Sequence, residues 1–187
     1  MNGRHILIGA FIIFFSPLIG QVQSNQLLPW HQDKRLTWPD FQGEPEGDID
    51  FKAMTNWQLS FDFQLSKAKG EINTHFNVYT FFDNQKSWVR EGNGSEQLLQ
   101  HEQLHFDIAE LFARKLRKQF AIYSFKSENY QEELNLLFDA SLDSCNVVQT
   151  QYDLDTEHGL NQEKQQEWLQ KIDQELMQLN EFVLVSH

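Results

Sequence analysis

The segment SEQLLQHEQLHFDIAELFARKLRKQF, residues 95–120, decides the fold. It contains neither glycine nor proline, and its apolar residues recur every three or four positions, which is typical of one buried helix face. Ser95 is a suitable N-cap, because its side chain can accept a hydrogen bond from an otherwise unpaired amide of the first turn. We therefore expect a long helix that begins after Ser95 and ends between Phe120 and Phe125.

Glycine and proline divide the chain at this helix. All four prolines and eight of the nine glycines lie before Ser95. Because these residues mark turns and interrupt helices, we expect short strands and loops before Ser95 and long helices after it. The prediction is an α+β fold, a small antiparallel N-terminal sheet followed by three helices. The candidate strands are 36–41, 57–65, 71–82 and, as a short strand or an extended segment, 87–90, with a hairpin turn at 67–70.

Two further helices follow from their start signals. Asn129 with Glu132 three residues later has the form of a capping box, and apolar spacing then continues to about Thr156. Gly159 stands where that helix would end, and Asn161 can cap a third helix. The inner face of the third helix is predicted to include Gln165, Trp168, Ile172, Leu176 and Leu179.

The chemistry is concentrated in HEQLH, residues 101–105. On a helix, His101 and His105 lie one turn apart on the same side, so both imidazoles can bind one metal ion. Glu102 is rotated by about 100° from His101, where it can address a water on the metal without being a ligand. Zinc lowers the pKa of such a water, and the carboxylate can take its proton and later pass it to a leaving amine.

The same two histidines fall in the apolar stripe of the helix, with Ile108 and Phe112. Two unpaired buried imidazoles would each cost about 1–3 kcal/mol of desolvation, which a bound metal removes. The simpler alternative is a pair of hydrogen-bonded core histidines beside a surface glutamate.

A catalytic zinc site needs a third protein ligand and an open fourth position. If the first two long helices pair antiparallel, the end of the second returns to the start of the first, where His101 lies. This topology favours residues 153–158 over the acidic residues near 128–133. The sequence leaves four candidates open: Asp153, Asp155, Glu157 and His158.

Three other features have structural interpretations. Tyr152 could donate a hydrogen bond to an oxyanion, but core packing fits its helical spacing better. Asp107 faces away from His105 on a helix, which favours a structural partner of an arginine or a lysine. A small basic cluster is predicted to be a solvated helix face, and it consists of Lys115, Arg117 and Lys118.

Composition excludes several classes of protein. With 15 basic and 27 acidic residues the formal net charge is −12, so a protein that coats nucleic acid is excluded. The single cysteine, Cys145, excludes an intramolecular disulfide framework and a cysteine-rich zinc knuckle. Any metal site must therefore use histidines and carboxylates.

The first 24 residues have the form of a secretory signal peptide. Arg4 precedes an apolar run, Ile6–Gly20, that Pro17 interrupts and that is shorter than the roughly 20 apolar residues of a membrane span. Cleavage is expected after Ser24, or after Gly20 just upstream; an uncleaved signal anchor is the alternative. We expect an exported protein, periplasmic or secreted, without a stable membrane span after cleavage.

Three blocks of the sequence carry a family resemblance: LTWPDFQG at 36–43, SWV followed by LLQHEQLHFDIAE within 87–110, and YDLDTEHG at 152–159, the last followed by Gln165, Trp168 and Ile172. The chain resembles the bacterial Domain of Unknown Function 922 family, described as predicted secreted zinc-dependent proteases. Pro39 departs from the family pattern, which more often has an acidic residue there.

The resemblance implies a zincin-like fold with the HExxH motif on the first long helix. It also implies His101 and His105 as zinc ligands, His158 as the third ligand and Glu102 as the catalytic acid/base. Residues 25–187 would then form a single zincin-like metallopeptidase domain.

The functional hypothesis is an exported zinc-dependent metallopeptidase that acts on peptide or protein substrates. An edge strand, 71–82 or 87–90, could align an extended substrate by backbone hydrogen bonds. The alternatives are a non-catalytic exported binding module with a structural zinc site and an adaptor that needs no metal.

Overall fold

A computed structural model describes residues 27–45, 51–68, 71–123 and 130–184. The predicted signal peptide, the Asn129 cap and the tip of the predicted 67–70 turn lie outside these ranges. Within them, the α+β prediction is confirmed, because antiparallel sheets are followed by three long helices. None of the helices in these ranges combines the length and the apolarity needed to cross a bilayer.

The strands form two antiparallel sheets. The larger has the order β1 (Leu27–Pro29), β4 (Glu71–Asp83) and β3 (Trp57–Ala68), and the smaller pairs β2 (Ala53–Met54) with β5 (Trp88–Val89). In the larger sheet, β3 and β4 pair from Trp57 opposite Phe82 to Ala68 opposite Glu71. Alternation on β4 buries Val78, Thr80 and Phe82 on one face, as their spacing predicts.

The segment 36–41 is not a strand, contrary to the prediction. Trp38–Asp40 form a turn of 3-10 helix. Pro39 has no N–H to donate to a strand partner. The Thr37 amide donates to Asp40 Oδ2 at 2.7 Å and caps the turn instead.

The first and third helices match their start signals. In α1 (Glu96–Ile122), the Leu98 amide donates to Ser95 Oγ at 3.1 Å, and the helix ends within the predicted window. The second helix, α2, is Tyr130–Thr156, and the third, α3, is Gln162–Gln178. The Asn161 side chain caps α3 by accepting from the Lys164 amide at 3.2 Å.

The core surrounds α1, which contacts the larger sheet on one side and both other helices on another. Leu104 and Ile108 pack with Tyr152 of α2 and Ile172 of α3. Near its other end α1 packs Phe120 against Leu134 from the first turns of α2. The start of α1 therefore lies beside the end of α2, and the two helices are antiparallel.

Burial on several sides of α1 also overturns the predicted solvated basic face at Arg117. Arg117 is buried, and its guanidinium donates to Glu110 Oε1 at 2.9 Å and, from Nε, to the Val78 carbonyl at 2.8 Å. Lys118 is exposed and Lys115 pairs with Glu175 on α3. A buried arginine with a carboxylate and a strand carbonyl as partners is a structural element of the core.

Candidate metal centre

The antiparallel pairing of α1 and α2 brings three ligand atoms together. Asp153 Oδ1 lies 3.2 Å from His101 Nε2 and 3.1 Å from His105 Nε2. The two Nε2 atoms are 3.2 Å apart. Across the described ranges, these three residues are the group of histidine, cysteine and carboxylate side chains close enough to hold one metal ion.

The spacing of these atoms fits a small tetrahedral cation. Zinc binds imidazole nitrogen at about 2.0–2.1 Å, so two ligands of a tetrahedral zinc are about 3.3 Å apart. The three observed separations, 3.1, 3.2 and 3.2 Å, are close to that edge length. The two imidazole nitrogens and the carboxylate oxygen thus form one face of a tetrahedron.

Glutamine side chains orient both imidazoles. His105 Nδ1 is 2.6 Å from Gln149 Oε1, and His101 Nδ1 is 3.2 Å from Gln165 Oε1. An amide oxygen can only accept, so each Nδ1 carries the proton and donates it. The lone pair of each Nε2 then faces Asp153, and three acceptor atoms that converge on one point require a positive charge between them.

Electrostatics favours positive charge at His105. Burial opposes protonation of His105, but the hydrogen bond that its protonated form donates to Asp153 and the charge of Glu102 outweigh burial and raise the pKa of His105 above the ordinary 6.5. Burial raises the pKa of Asp153, but its hydrogen bonds to His101 and His105 together have the larger and opposite effect. The pKa of Asp153 is therefore below the ordinary 3.8. The cluster therefore stabilises both the ionised carboxylate and a cation beside it.

Glu102 lies beside this triad. The residue is 3% exposed. Its carbonyl accepts from Thr55 Oγ1 at 3.1 Å, which ties this turn of α1 to the segment after β2. From the described residues, its carboxylate receives neither a hydrogen bond nor an ion pair, so its oxygens remain available to a ligand of the site.

His158 lies next to the triad and outside it. Its Nδ1 is 3.5 Å from Asp153 Oδ1, and half of its side chain is exposed. The residue sits in a left-handed turn, with φ of 50° at Glu157 and 54° at His158. Asp153 Oδ1 therefore lies against both imidazoles, whereas His158, the third ligand that the resemblance implies, contacts only Asp153 within this group.

The other two candidates for the third ligand lie outside the triad. Asp155 accepts hydrogen bonds from Trp168 Nε1 at 3.0 Å and Gln151 Nε2 at 2.6 Å. Glu157 is exposed. Of the four residues left open by the sequence, Asp153 alone has its ligand atom in contact with both imidazoles.

Two structural interpretations of single residues agree with the geometry. Asp107 pairs with Arg35 at 3.0 Å and accepts from Trp30 Nε1 at 2.8 Å. The Tyr152 hydroxyl is fully buried and lies 2.8 Å from Gln165 Oε1 and 3.2 Å from the His101 carbonyl. Burial raises the pKa of Tyr152, so its proton is retained for these bonds.

The sequence matches a family described as "Bacterial protein of unknown function (DUF922)" over residues 39–159. The chain belongs to this family. A search of curated proteins and a search of solved structures each found no match. The family match contains the whole triad, Glu102 and His158, and it ends at Gly159, before α3 begins.

Sequence reasoning missed the two glutamines as parts of the site. The apolar spacing predicts Gln165 on the inner face of α3, and a polar residue at such a position indicates a polar partner; the structure shows it 1% exposed. Gln149 lies one helical turn before Asp153, so its side chain projects to the same side of α2. Gln165 belongs to the third block of the family resemblance, but its contact with His101, like that of Gln149 with His105, depends on how α2 and α3 pack on α1.

Proposed function

We propose that this protein is an exported zinc-dependent metallopeptidase. The proposed ligands are His101 and His105 from α1 and Asp153 from α2, with Glu102 as the catalytic acid/base. The observation that carries the proposal is the mutual spacing of the three ligand atoms, 3.1–3.2 Å, beside a buried carboxylate that no described residue engages. Three protein ligands leave the fourth tetrahedral position open for water or substrate.

The chemistry divides between the metal and the chain. When bound, zinc would act as a Lewis acid that polarises a substrate carbonyl and makes a water more acidic. Glu102 would accept the proton of the attacking water and later donate it to the leaving amine. The low exposure of Glu102 and His101 keeps bulk water from competing at this step.

An extended substrate could be aligned by β2. This strand pairs with β5 alone among the described strands, so one of its edges has no strand partner. Thr55, which follows β2, donates to the Glu102 carbonyl, and Phe51, which precedes it, has its ring 5.0 Å from the His158 ring. In contrast, β4 pairs with strands on both sides at Phe81 and Phe82.

The decisive experiment separates zinc binding from hydrolysis. In Glu102→Gln we expect stoichiometric zinc by metal analysis and loss of peptide hydrolysis by about 10²- to 10⁴-fold. Glu96→Gln is the matched control, because Glu96 is an exposed glutamate in the first turn of the same helix. Peptide cleavage by Glu102→Gln at the wild-type rate would refute the mechanism.

A second candidate function is a binding module in which zinc closes the site. It is favoured by the 3.5 Å distance between His158 Nδ1 and Asp153 Oδ1, which places a fourth donor near the triad. A closed, four-ligand site is structural. In the peptidase, Asp153→Ala should lose zinc and His158→Ala should retain it, whereas a large loss of zinc affinity in both variants would support the closed site.

Export is part of the proposal and rests on residues 1–24. Expression of the full chain in a bacterium, followed by N-terminal sequencing of the recovered protein, tests it. A mature protein that begins at Asn25 or Gln21 supports export, and an intact Met1 in the cytoplasmic fraction contradicts it.

A further inference from the structure

Two glutamines from different helices make equivalent contacts to the two imidazoles. Gln149 on α2 is 8% exposed and Gln165 on α3 is 1% exposed, so both amides are shielded from solvent. Each uses its oxygen on a histidine Nδ1. The contacts come from outside α1, so the orientation of each ring depends on tertiary packing.

The remaining bonds of Gln149 reinforce its position. Its Nε2 donates to the His105 carbonyl at 2.9 Å, so the Gln149 side chain contacts both the ring and the backbone of His105. With the oxygen 2.6 Å from His105 Nδ1, the amide has a single orientation that satisfies both contacts. In that orientation the proton of His105 must be on Nδ1.

Gln165 makes different hydrogen bonds from Gln149, but it also favours a proton on Nδ1 of its histidine, His101. Its Oε1 faces both His101 Nδ1, at 3.2 Å, and the Tyr152 hydroxyl, at 2.8 Å. Its Nε2 is buried and has no hydrogen-bond partner in the described part of the chain. Rotating the amide by half a turn would give that nitrogen a partner at His101 Nδ1, but it would move the His101 proton to Nε2 and block metal binding.

We infer that Gln149 and Gln165 are positioning residues that hold His101 and His105 with Nδ1 protonated and Nε2 directed at a metal ion. The inference rests on the proposed metal site and deepens it. It adds α3, which lies beyond the range of the family match, to the elements that build the site.

A neutral glutamine at position 165 limits the negative charge that the site holds when no metal is bound. Asp153 and Glu102 already place two carboxylates at the site, and Glu102 is almost fully buried. A carboxylate at position 165 would add a third negative charge in a region of low dielectric constant. Neutral amide oxygens orient the rings and leave a zinc ion with two neutral ligands and one anionic ligand.

Substitution to leucine and to glutamate should act in opposite directions on zinc affinity. Gln165→Leu removes the acceptor, and we expect zinc to bind about 10- to 100-fold more weakly. Gln165→Glu keeps the acceptor and sacrifices no donated bond, because Nε2 has no partner in the described part of the chain. Since a carboxylate acceptor makes the imidazole a stronger ligand, we expect zinc to bind more tightly than in the wild type.

The experiment measures zinc affinity by chelator competition on the mature chain, residues 25–187, with folding checked by circular dichroism. Gln149→Leu should weaken zinc binding as Gln165→Leu does. Gln103→Leu is the matched control, because Gln103 is also a buried glutamine but its side chain bonds Leu36 and Asp107, away from the triad. Its zinc affinity should stay close to that of the wild type.

The outcomes separate this inference from the proposed function. Wild-type zinc binding with no change in either Gln165 variant overturns the positioning role and leaves the metal site intact. Weaker binding in both Gln165→Leu and Gln165→Glu also overturns it, since general damage to packing would lower both. If the wild type binds no zinc, both the inference and the proposed function fail. If Gln165→Leu does not fold, a Gln165→Glu variant that binds zinc no more tightly than wild type is sufficient to overturn the inference.

Discussion

Gly159 and Gly92 offer a matched pair of substitutions that tests the geometry around His101. Both glycines have left-handed backbone conformations, with φ of 82° and 77°. Apart from its chain neighbours, a Cβ at position 92 would have no atom of the described residues within 4 Å, whereas a Cβ at position 159 would lie 3.0 Å from His101 Cγ and 3.3 Å from its Nδ1. Alanine therefore imposes a similar backbone cost at both positions and a steric contact only at Gly159.

The expected magnitudes follow from these two effects. A left-handed residue with a Cβ costs about 1–2 kcal/mol, and the lower entropy of alanine in the unfolded chain offsets about 0.4–1 kcal/mol. Gly92→Ala should therefore lower the free energy of unfolding by roughly 1 kcal/mol. In Gly159→Ala the overpacking against His101 adds about 1–3 kcal/mol, because this ring is confined by Tyr152 at a centroid distance of 4.7 Å.

The same contact should weaken metal binding. Relief of a 3.0 Å contact requires the His101 ring to move by a few tenths of an ångström. A metal site tolerates deviations of about 0.2 Å in its metal–ligand distances. The shift of His101 should therefore lower zinc affinity about tenfold or more. Gly92→Ala should leave zinc affinity unchanged.

Two measurements check this prediction. Urea unfolding of the metal-free proteins gives the two stabilities, and chelator competition gives the two zinc affinities. Equal zinc affinities in Gly159→Ala and Gly92→Ala, with both proteins folded, would refute the reasoning that Gly159 makes room for a metal-binding His101.

Three further predictions concern pH, the buried ion pair and the cysteine. Because the pKa of His105 is raised above 6.5, its stabilising contribution in metal-free protein is fully present below pH 6.5 and is lost as pH rises through the folded-state value. In EDTA, the difference in Tm between wild type and His105→Gln should therefore shrink on going from pH 6 to pH 9, whereas stabilisation by zinc should grow over this range. Arg117→Met removes a buried donor from the Glu110 carboxylate and the Val78 carbonyl. We expect the free energy of unfolding in urea to fall by about 3 kcal/mol, and a fall of less than about 1 kcal/mol would contradict the structural role. Burial raises the pKa of Cys145 to about 12, so a thiol reagent at pH 8 should modify it only after unfolding, and rapid labelling of native protein would count against its burial.

Local signals predicted the helices well because helix formation depends on neighbouring residues. Ser95 and Asn161 cap the helices that their positions indicate, and apolar spacing predicts the buried face of α3. The strand predicted at 36–41 is wrong, because Pro39 cannot donate to a strand partner and the Thr37 amide bonds to Asp40, which favours a 3-10 turn. The sequence predicts a solvent-exposed Arg117, because residue type alone does not show that α1 is covered on several sides.

The sequence by itself determined the α+β class, the long helix and the placement of His101, Glu102 and His105 on it. The two imidazoles meet because residues four apart on a helix lie on the same side. Only the tertiary structure decided which residue completes the triad and what orients the rings. Asp153, Gln149 and Gln165 reach the histidines through the antiparallel packing of α2 and the docking of α3, and the register of such packing depends on long-range contacts. A local pattern could narrow the candidates for a third ligand to residues 153–158, and the packing of the helices places Asp153 against both imidazoles.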